Sequence, residues 1–330
     1  MTKQQSVLLK GIALLMMFFV HVNWANYENF IQINGVPLLS YLSKLSTPVE
    51  IFTVLGGYGL CFVHQNNDKH HFSRIVKLYI HYWIIITVFC FIGHFVEVSG
   101  KYPGSFSDIL FNYSSFYSSW NYECWFLFPY AILSLSYPLI FRLYDKANPL
   151  VVFFIALLLF GIAGYCISAF HIQYKESSPL LYNGLYLFYL LFPFSLGYLL
   201  KRAAAIERVA VLSRRKPIIK LVPYLLLIVF VIIKLHVNSS LFSPFYALGI
   251  IAIIALLIKT FRPLEFVGKH SMNMWMIHTW FIYYLFPSFF KGLKYSIVLL
   301  MVLLIFSVVC SMIVNLIARP LELKCCNEKR

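Results

Sequence analysis

The chain has 330 residues, 61% hydrophobic and 12% charged, where a soluble protein carries about 25% charged residues. Mean hydropathy is +0.78, and apolar runs near the ~20 residues that cross a bilayer recur throughout, so the class is an all-α, polytopic membrane protein. The runs are continuous rather than alternating, against a β-barrel. The formal net charge of +15 has no basic soluble face to belong to, against nucleic-acid binding.

About ten transmembrane helices follow from the pattern, at roughly 7–25, 47–64, 75–96, 121–142, 150–170, 181–200, 221–237, 241–259, 271–290 and 296–318. They form a single domain over 1–330, ending in a tail at 319–330. The first helix has no small-residue cleavage site after it and is read as retained, not as a signal peptide. An even number of spans puts both termini on one side. With that side cytoplasmic, 21 of the 27 lysines and arginines lie inside. The six outside are Lys44, Lys101, Lys175, Lys234, Lys291 and Lys294, a strong positive-inside bias. The basic loop at 201–220 then faces anionic cytosolic lipid. The seven cysteines are scattered, which gives neither a disulfide framework nor a metal pattern.

Ionisable groups at membrane depth are costly and usually face a bundle interior or a wet cavity. Here they are Lys10, His21, Glu50, His81, His94, Glu123 and His278. Lys10 and His21 share the first helix. Eleven residues at about 100° each make three turns plus roughly 20°, so both occupy one face about 16 Å apart. Lys10 alone is explained by snorkelling, and His21 alone by helix packing. An imidazole is nevertheless suited to taking a proton from a hydroxyl and returning it. Glu50 opens the second helix and Glu123 the fourth, at a depth comparable with His21, and either carboxylate suits the orienting of an imidazole. Arg74 and Lys77 begin the third helix at i, i+3 spacing, a pair that holds phosphate or simply flanks a positive-inside helix. His278 lies about 12–15 Å along the ninth helix from Gly268. The stretch LGGYGL, residues 55–60, permits close helix approach or a helix break. It lacks the pattern of a nucleotide-binding loop.

Taken together these stretches resemble the acyltransferase 3 family of integral-membrane enzymes. Lys10-Gly11-Ile12-Ala13 followed by His21 is similar to the family's Arg/Lys-x10-His signature. TPVEIFTVLGGYGL is similar to its Phe-rich helix ending in Ser-Gly-Phe or Ser-Gly-Tyr. Arg74-Ile-Val-Lys77 leading to Tyr82-Trp83 resembles its Arg-x-x-Arg motif. Trp125-Phe126-Leu127, and Gly268-Lys269-His270-Ser271 running to His278, resemble its later elements. The likeness spans residues 5 to about 290. Gly56 stands where the family usually has Ser, and Lys10 and Lys77 where Arg is commoner. Lysine keeps the charge without the bidentate fork.

The resemblance implies acyl transfer, most often acetyl, from acyl-CoA to a hydroxyl of a surface polysaccharide or its lipid-linked precursor, in a bacterial inner membrane. Lys10, Arg74 and Lys77 would hold the CoA phosphates, and His21 would serve as general base or acyl carrier. Glu50 or Glu123 would orient it, while Trp125, Tyr58 and His278 would line the cavity. No metal is expected; the partners are acyl-CoA, the glycan and membrane lipid. The rival reading is a transporter or flippase of lipid-linked sugars. It shares the basic face, but residues 170–260 do not repeat the polar features of the first half, as transporter halves commonly do. An acyltransferase of a small or peptidoglycan acceptor stands as a further alternative.

Overall fold

The structure, a computed structural model, describes residues 1–25, 31–66, 71–97, 100–237, 240–258 and 260–326. Four cations of the charge count, Lys69, Lys259, Lys329 and Arg330, lie outside them. Helix α1, Lys3–Trp24, starts at a capping box. Thr2 Oγ1 accepts from Gln5 N at 3.2 Å and Gln5 Oε1 accepts from Thr2 N at 2.9 Å, satisfying donors that a first turn leaves bare. A minimal hairpin, β1 Gln32–Ile33 and β2 Val36–Pro37, leads into α2, Leu38–Lys44. Then come α3, Pro48–Gln65, α4, His71–Val96, and α5, Phe106–Ser114. A 3₁₀ turn at Tyr122–Phe126 feeds α6, Leu127–Lys146. The helices α7, Pro149–Ala169, and α8, Pro179–Arg202, both begin at proline, whose fixed φ suits a first turn.

The second half holds α9, Ala205–Arg215, α10, Leu221–His236, and α11, Ser243–Leu257. Helix α12, Arg262–Thr279, runs into a π-helical turn at Trp280–Leu285, followed by α13, Pro287–Lys291, and α14, Ser296–Cys326. Among the described residues, eight segments are long and apolar enough to cross a bilayer. The other two of the ten expected spans are present as helices of a different kind. Helix α10 is apolar but has 16 residues. Helix α12 carries Arg262, Glu265 and Lys269 in its first half and starts nearer its proline than the apolar run indicated.

Helix α3 packs on α8 and α1 on α12, and both crossings are glycine to glycine. A Cβ on Gly268 would lie 3.1 Å from Gly11 N and collide with Val7 O, while one on Gly11 would collide with Leu264 O. A Cβ on Gly197 would lie 2.6 Å from Tyr58 N, and one on Gly57 2.9 Å from Phe194 C. Backbones this close gain the packing that drives association where lipid removes the hydrophobic incentive. Two apolar cores result. One joins α3, α6, α7, α8 and α11 around Phe141, Phe160, Phe192 and Phe194. The other joins α1, α4, α12 and α14 around Phe18, Tyr82, Phe89 and Trp280.

A polar seam fastens α14 to α4 and α12. His81 Nδ1 meets Asn273 Oδ1 at 2.7 Å and His81 Nε2 meets Glu322 Oε1 at 2.7 Å. Asn273 Nδ2 donates to Ser311 Oγ at 3.1 Å and to Asn315 Oδ1 at 2.9 Å. His81 therefore has a structural occupation, as does His94, whose Nδ1 donates to Tyr102 O at 3.1 Å.

Candidate active site

A cavity of about 850 Å³ lies among α1, α3, α4, α6 and α12, within the size range of ligand pockets. Its α1 wall is Ser6, Lys10, Met17, Val20, His21 and Trp24. At about 100° per residue these six lie within roughly 60° of one direction, and Ser6 to Trp24 spans about 27 Å. The cavity therefore follows α1 for nearly the ~30 Å thickness of a hydrocarbon core.

At one end Lys10 and Arg74 line the wall with Ser6 and Ser271. Among the described residues neither cation has an ion-pair or hydrogen-bond partner. The Gly11–Gly268 crossing fixes this end, because Lys10 and Ser271 each stand within one turn of it. Ser271 Oγ is spent on Gly268 O at 2.9 Å. Nearby, Ser134 lines the wall one turn along α6 from Tyr130. Two cations in a partly closed, apolar-walled space have the charge that suits an anion.

At the other end His21 is 8% exposed and stands edge-on to Trp24, His278 and Tyr283, at ring distances of 5.2, 4.9 and 5.7 Å. The Tyr283 hydroxyl donates to His21 O at 2.7 Å, and its oxygen lies 3.4 Å from His21 Nδ1. The next residue, Tyr284, donates to Glu123 Oε2 and accepts from Tyr122 N at 3.0 Å. Both tyrosines belong to the π-helical turn. That wider turn, a form frequent at functional sites, ties two polar groups of this end, His21 and Glu123, to one short segment.

Aromatic rings enclose the same end. Trp125 lies 4.7 Å from Tyr186, which stacks on Tyr182 at 4.2 Å. Lys175, also in the wall, sits 4.7 Å from the Tyr122 ring, and Lys101 4.5 Å from the Tyr284 ring. Burial pushes the Lys101 ammonium below its ordinary value. Lys175 adds to that shift, and Glu97 and Glu123 oppose it.

Of the residues singled out by sequence, Lys10, His21, Arg74, Glu123 and Trp125 meet in this one cavity. Lys77, Glu50, Tyr58 and His278 are not in its walls. Helical phase explains three of these. Arg74, Ile75 and Leu78 form the α4 wall, and Lys77 falls roughly 100° from its centre. On α3 the wall runs through Val49, Phe52, Gly56 and Gly59, leaving Glu50 and Tyr58 more than about 100° away. Glu50 Oε2 accepts from Thr47 Oγ1 at 2.7 Å, and Thr47 Oγ1 also reaches Ser243 O at 3.3 Å. Tyr58 donates to Glu207 Oε1 at 3.2 Å, tying α3 to α9. His278 stands just behind the wall, stacked on Phe18 at 4.7 Å and against His21.

Sequence reading missed Ser134, Lys175, Trp275, Tyr283 and Tyr284. Lys175 was visible only as an exception to the charge bias, and nothing in the sequence singled out the two tyrosines. Ser134 and Trp275 left no signal in an apolar helix.

The acyltransferase 3 family, described as an acyltransferase domain, matches residues 7–316, past the motifs and well into α14. Neither curated proteins nor solved structures give a match to the chain. The match runs from the first turns of α1 to α14 and takes in every residue lining the cavity except Ser6, and the chain belongs to the acyltransferase 3 family of membrane acyltransferases.

Proposed function

We propose that the protein transfers an acetyl group from acetyl-CoA to a hydroxyl of a cell-surface polysaccharide or its lipid-linked precursor. It would do so in a bacterial cytoplasmic membrane, with both termini in the cytosol. The observation that carries this reading is that one cavity joins the unpaired cations Lys10 and Arg74 to His21 and Glu123. The charge bias puts the Lys10 end toward the cytosol, where CoA resides. CoA suits that end. Its phosphates find two cations that pair with no carboxylate among the described residues, and Met17, Leu60 and Leu78 give the pantetheine arm an apolar path.

The chemistry asked of the chain is modest. His21 takes the proton from the acceptor hydroxyl as its oxygen bonds to the acyl carbon. The C–S bond then breaks, and the thiolate sulfur recovers that proton from His21 to leave as the thiol. Glu123, held by Tyr284, and Trp125, among its tyrosines, position the acceptor sugar. Glu50 takes no part.

Purified protein with labelled acetyl-CoA and de-acetylated polysaccharide from the source cell tests the proposal: label must appear in the glycan. Movement of lipid-linked sugar across vesicles with no label transferred would make it a transporter instead. A second measurement separates the cations. Lys10→Gln and Arg74→Gln are each expected to raise KM for acetyl-CoA about 10–100-fold, the worth of a hydrogen bond to a charged group. Lys77→Gln, outside the cavity, should stay within about twofold of the parent.

A further inference from the structure

The sequence left open which group orients His21, and offered two carboxylates. Both are committed elsewhere: Glu50 to Thr47, and Glu123 to Tyr284. Apart from Trp24 of its own helix, the groups in contact with the His21 ring come instead from the end of α12 and the turn that follows it. They are His278, at a ring distance of 4.9 Å, and Tyr283, at 5.7 Å.

Hydrogen-bond direction assigns the protons. The Tyr283 hydroxyl has a carbonyl, His21 O, at 2.7 Å. A carbonyl only accepts, so the tyrosine hydrogen is spent there. Its oxygen then turns a lone pair toward His21 Nδ1, 3.4 Å away, which favours the tautomer with the proton on Nδ1 and a bare Nε2. His278 is fixed in the same way. Its Nδ1 faces two carbonyls of its own helix, Met274 O at 3.1 Å and Trp275 O at 2.8 Å. The proton of neutral His278 therefore sits on Nδ1, and Nε2 carries a lone pair. That nitrogen is fully buried and has no hydrogen-bond partner among the described residues. It lies on the ring edge remote from the α12 backbone, and the ring itself is packed against Phe18 and His21 of α1.

A buried acceptor without a donor is a rare and costly feature. It becomes useful when a neighbouring group turns cationic during reaction. An interaction stronger in the transition state than in the ground state accelerates the step, whereas one already made at rest does not.

We infer that His278 and Tyr283 are the positioning residues of the His21 base. Tyr283 sets its tautomer, and the vacant His278 Nε2 stabilises the imidazolium formed as the acceptor hydroxyl gives up its proton. The inference rests on the acyl-transfer reading above and replaces the carboxylate of a conventional relay with a tyrosine and a second imidazole. The pair costs nothing in buried negative charge at membrane depth. Phe18, one turn below His21 on α1, stacks at 4.7 Å on His278 and holds it in place.

The test uses the full-length protein, acetyl-CoA and de-acetylated polysaccharide. His278→Leu removes the acceptor at similar size, and His278→Gln returns an acceptor oxygen near the position of Nε2. The leucine variant should lose about 10–100-fold in kcat with KM for acetyl-CoA within about twofold, and glutamine should recover most of that loss. Tyr283→Phe, which deletes one oxygen, should lower kcat about tenfold with the same unchanged KM. It also carries the test if leucine is not tolerated. Equal kcat for His278→Leu and the parent, equal losses for leucine and glutamine, or a neutral Tyr283→Phe would overturn the inference. His21→Ala run beside them separates the two ideas. An inactive His21→Ala with an active His278→Leu removes only the inference, a fully active His21→Ala removes His21 as the base that the pair positions, and a parent protein that transfers no label removes the acyl-transfer assignment beneath both.

Discussion

Alanine at position 21 is expected to abolish transfer and leave the protein folded. A positioned general base contributes about 10²–10⁴-fold, and kcat should fall by that much. The fold should survive because the polar tie at this position belongs to the backbone: Tyr283 donates to the carbonyl of residue 21, which alanine retains. The ring's other contacts are aromatic edges with Trp24, His278 and Tyr283, so its removal leaves space at a wall already open to the cavity. Donor affinity should be unaffected, since Lys10, the proposed anchor, stands about 16 Å away along the helix. Rates of thiol release from acetyl-CoA with glycan present read the first effect, and thermal unfolding in detergent reads the second. In cells the same variant should give surface polysaccharide without its O-acetyl groups. Normal acetylation at normal protein levels would sink the assignment.

That prediction rests on the part of the site most legible in the sequence. Lys10 and His21 share one helix, so the α-helical period alone sets their phase and separation. The structure puts both in one wall, with Trp24 and Ser6 continuing it. Legibility fell wherever a second helix decided the outcome. The i, i+3 spacing of Arg74 and Lys77 showed that they neighbour each other. It did not show that the cavity lies toward Ile75 and Leu78, which keeps Arg74 and excludes Lys77. Glu50 had the depth of a relay carboxylate, but its helical face turns to Thr47 and Ser243. Tyr283 and Tyr284 could not be read at all, because their roles come from a π-helical turn that no hydropathy period encodes. The helices themselves were found wherever their apolar runs were long. At α12 the apolar run set the start of the helix too late, because Arg262, Glu265 and Lys269 precede that run yet are helical, with α12 packed against α1 and α14.

Leucine in place of Gly268 is expected to break the α1–α12 crossing and with it the donor end of the cavity. Side-chain overpacking usually costs about 1–3 kcal/mol because neighbours shift. Here the neighbours are backbone: Val7 O lies where the new Cβ would go, and Gly11 N stands 3.1 Å from it. Neither moves without parting the helices, so a loss of about 4 kcal/mol or more, about 6 °C in melting temperature, is expected. Gly161→Leu is the control, since nothing lies within 4 Å of its Cβ and the groove it faces is apolar. It should unfold with the parent. The three glycines of LGGYGL should then separate under the same substitution, although the sequence presents them alike. Gly57 meets the Phe194 backbone, so leucine there should destabilise as at Gly268. Gly56 meets only the ring of Tyr130, 2.9 Å from its Cβ, and a side chain can give way, so the loss should be intermediate. Gly59 lines the cavity with nothing within 4 Å. Leucine there should keep the melting temperature and instead fill the donor path, raising KM for acetyl-CoA. A common loss of stability at all three positions would mean that the α3–α8 crossing is not glycine-to-glycine.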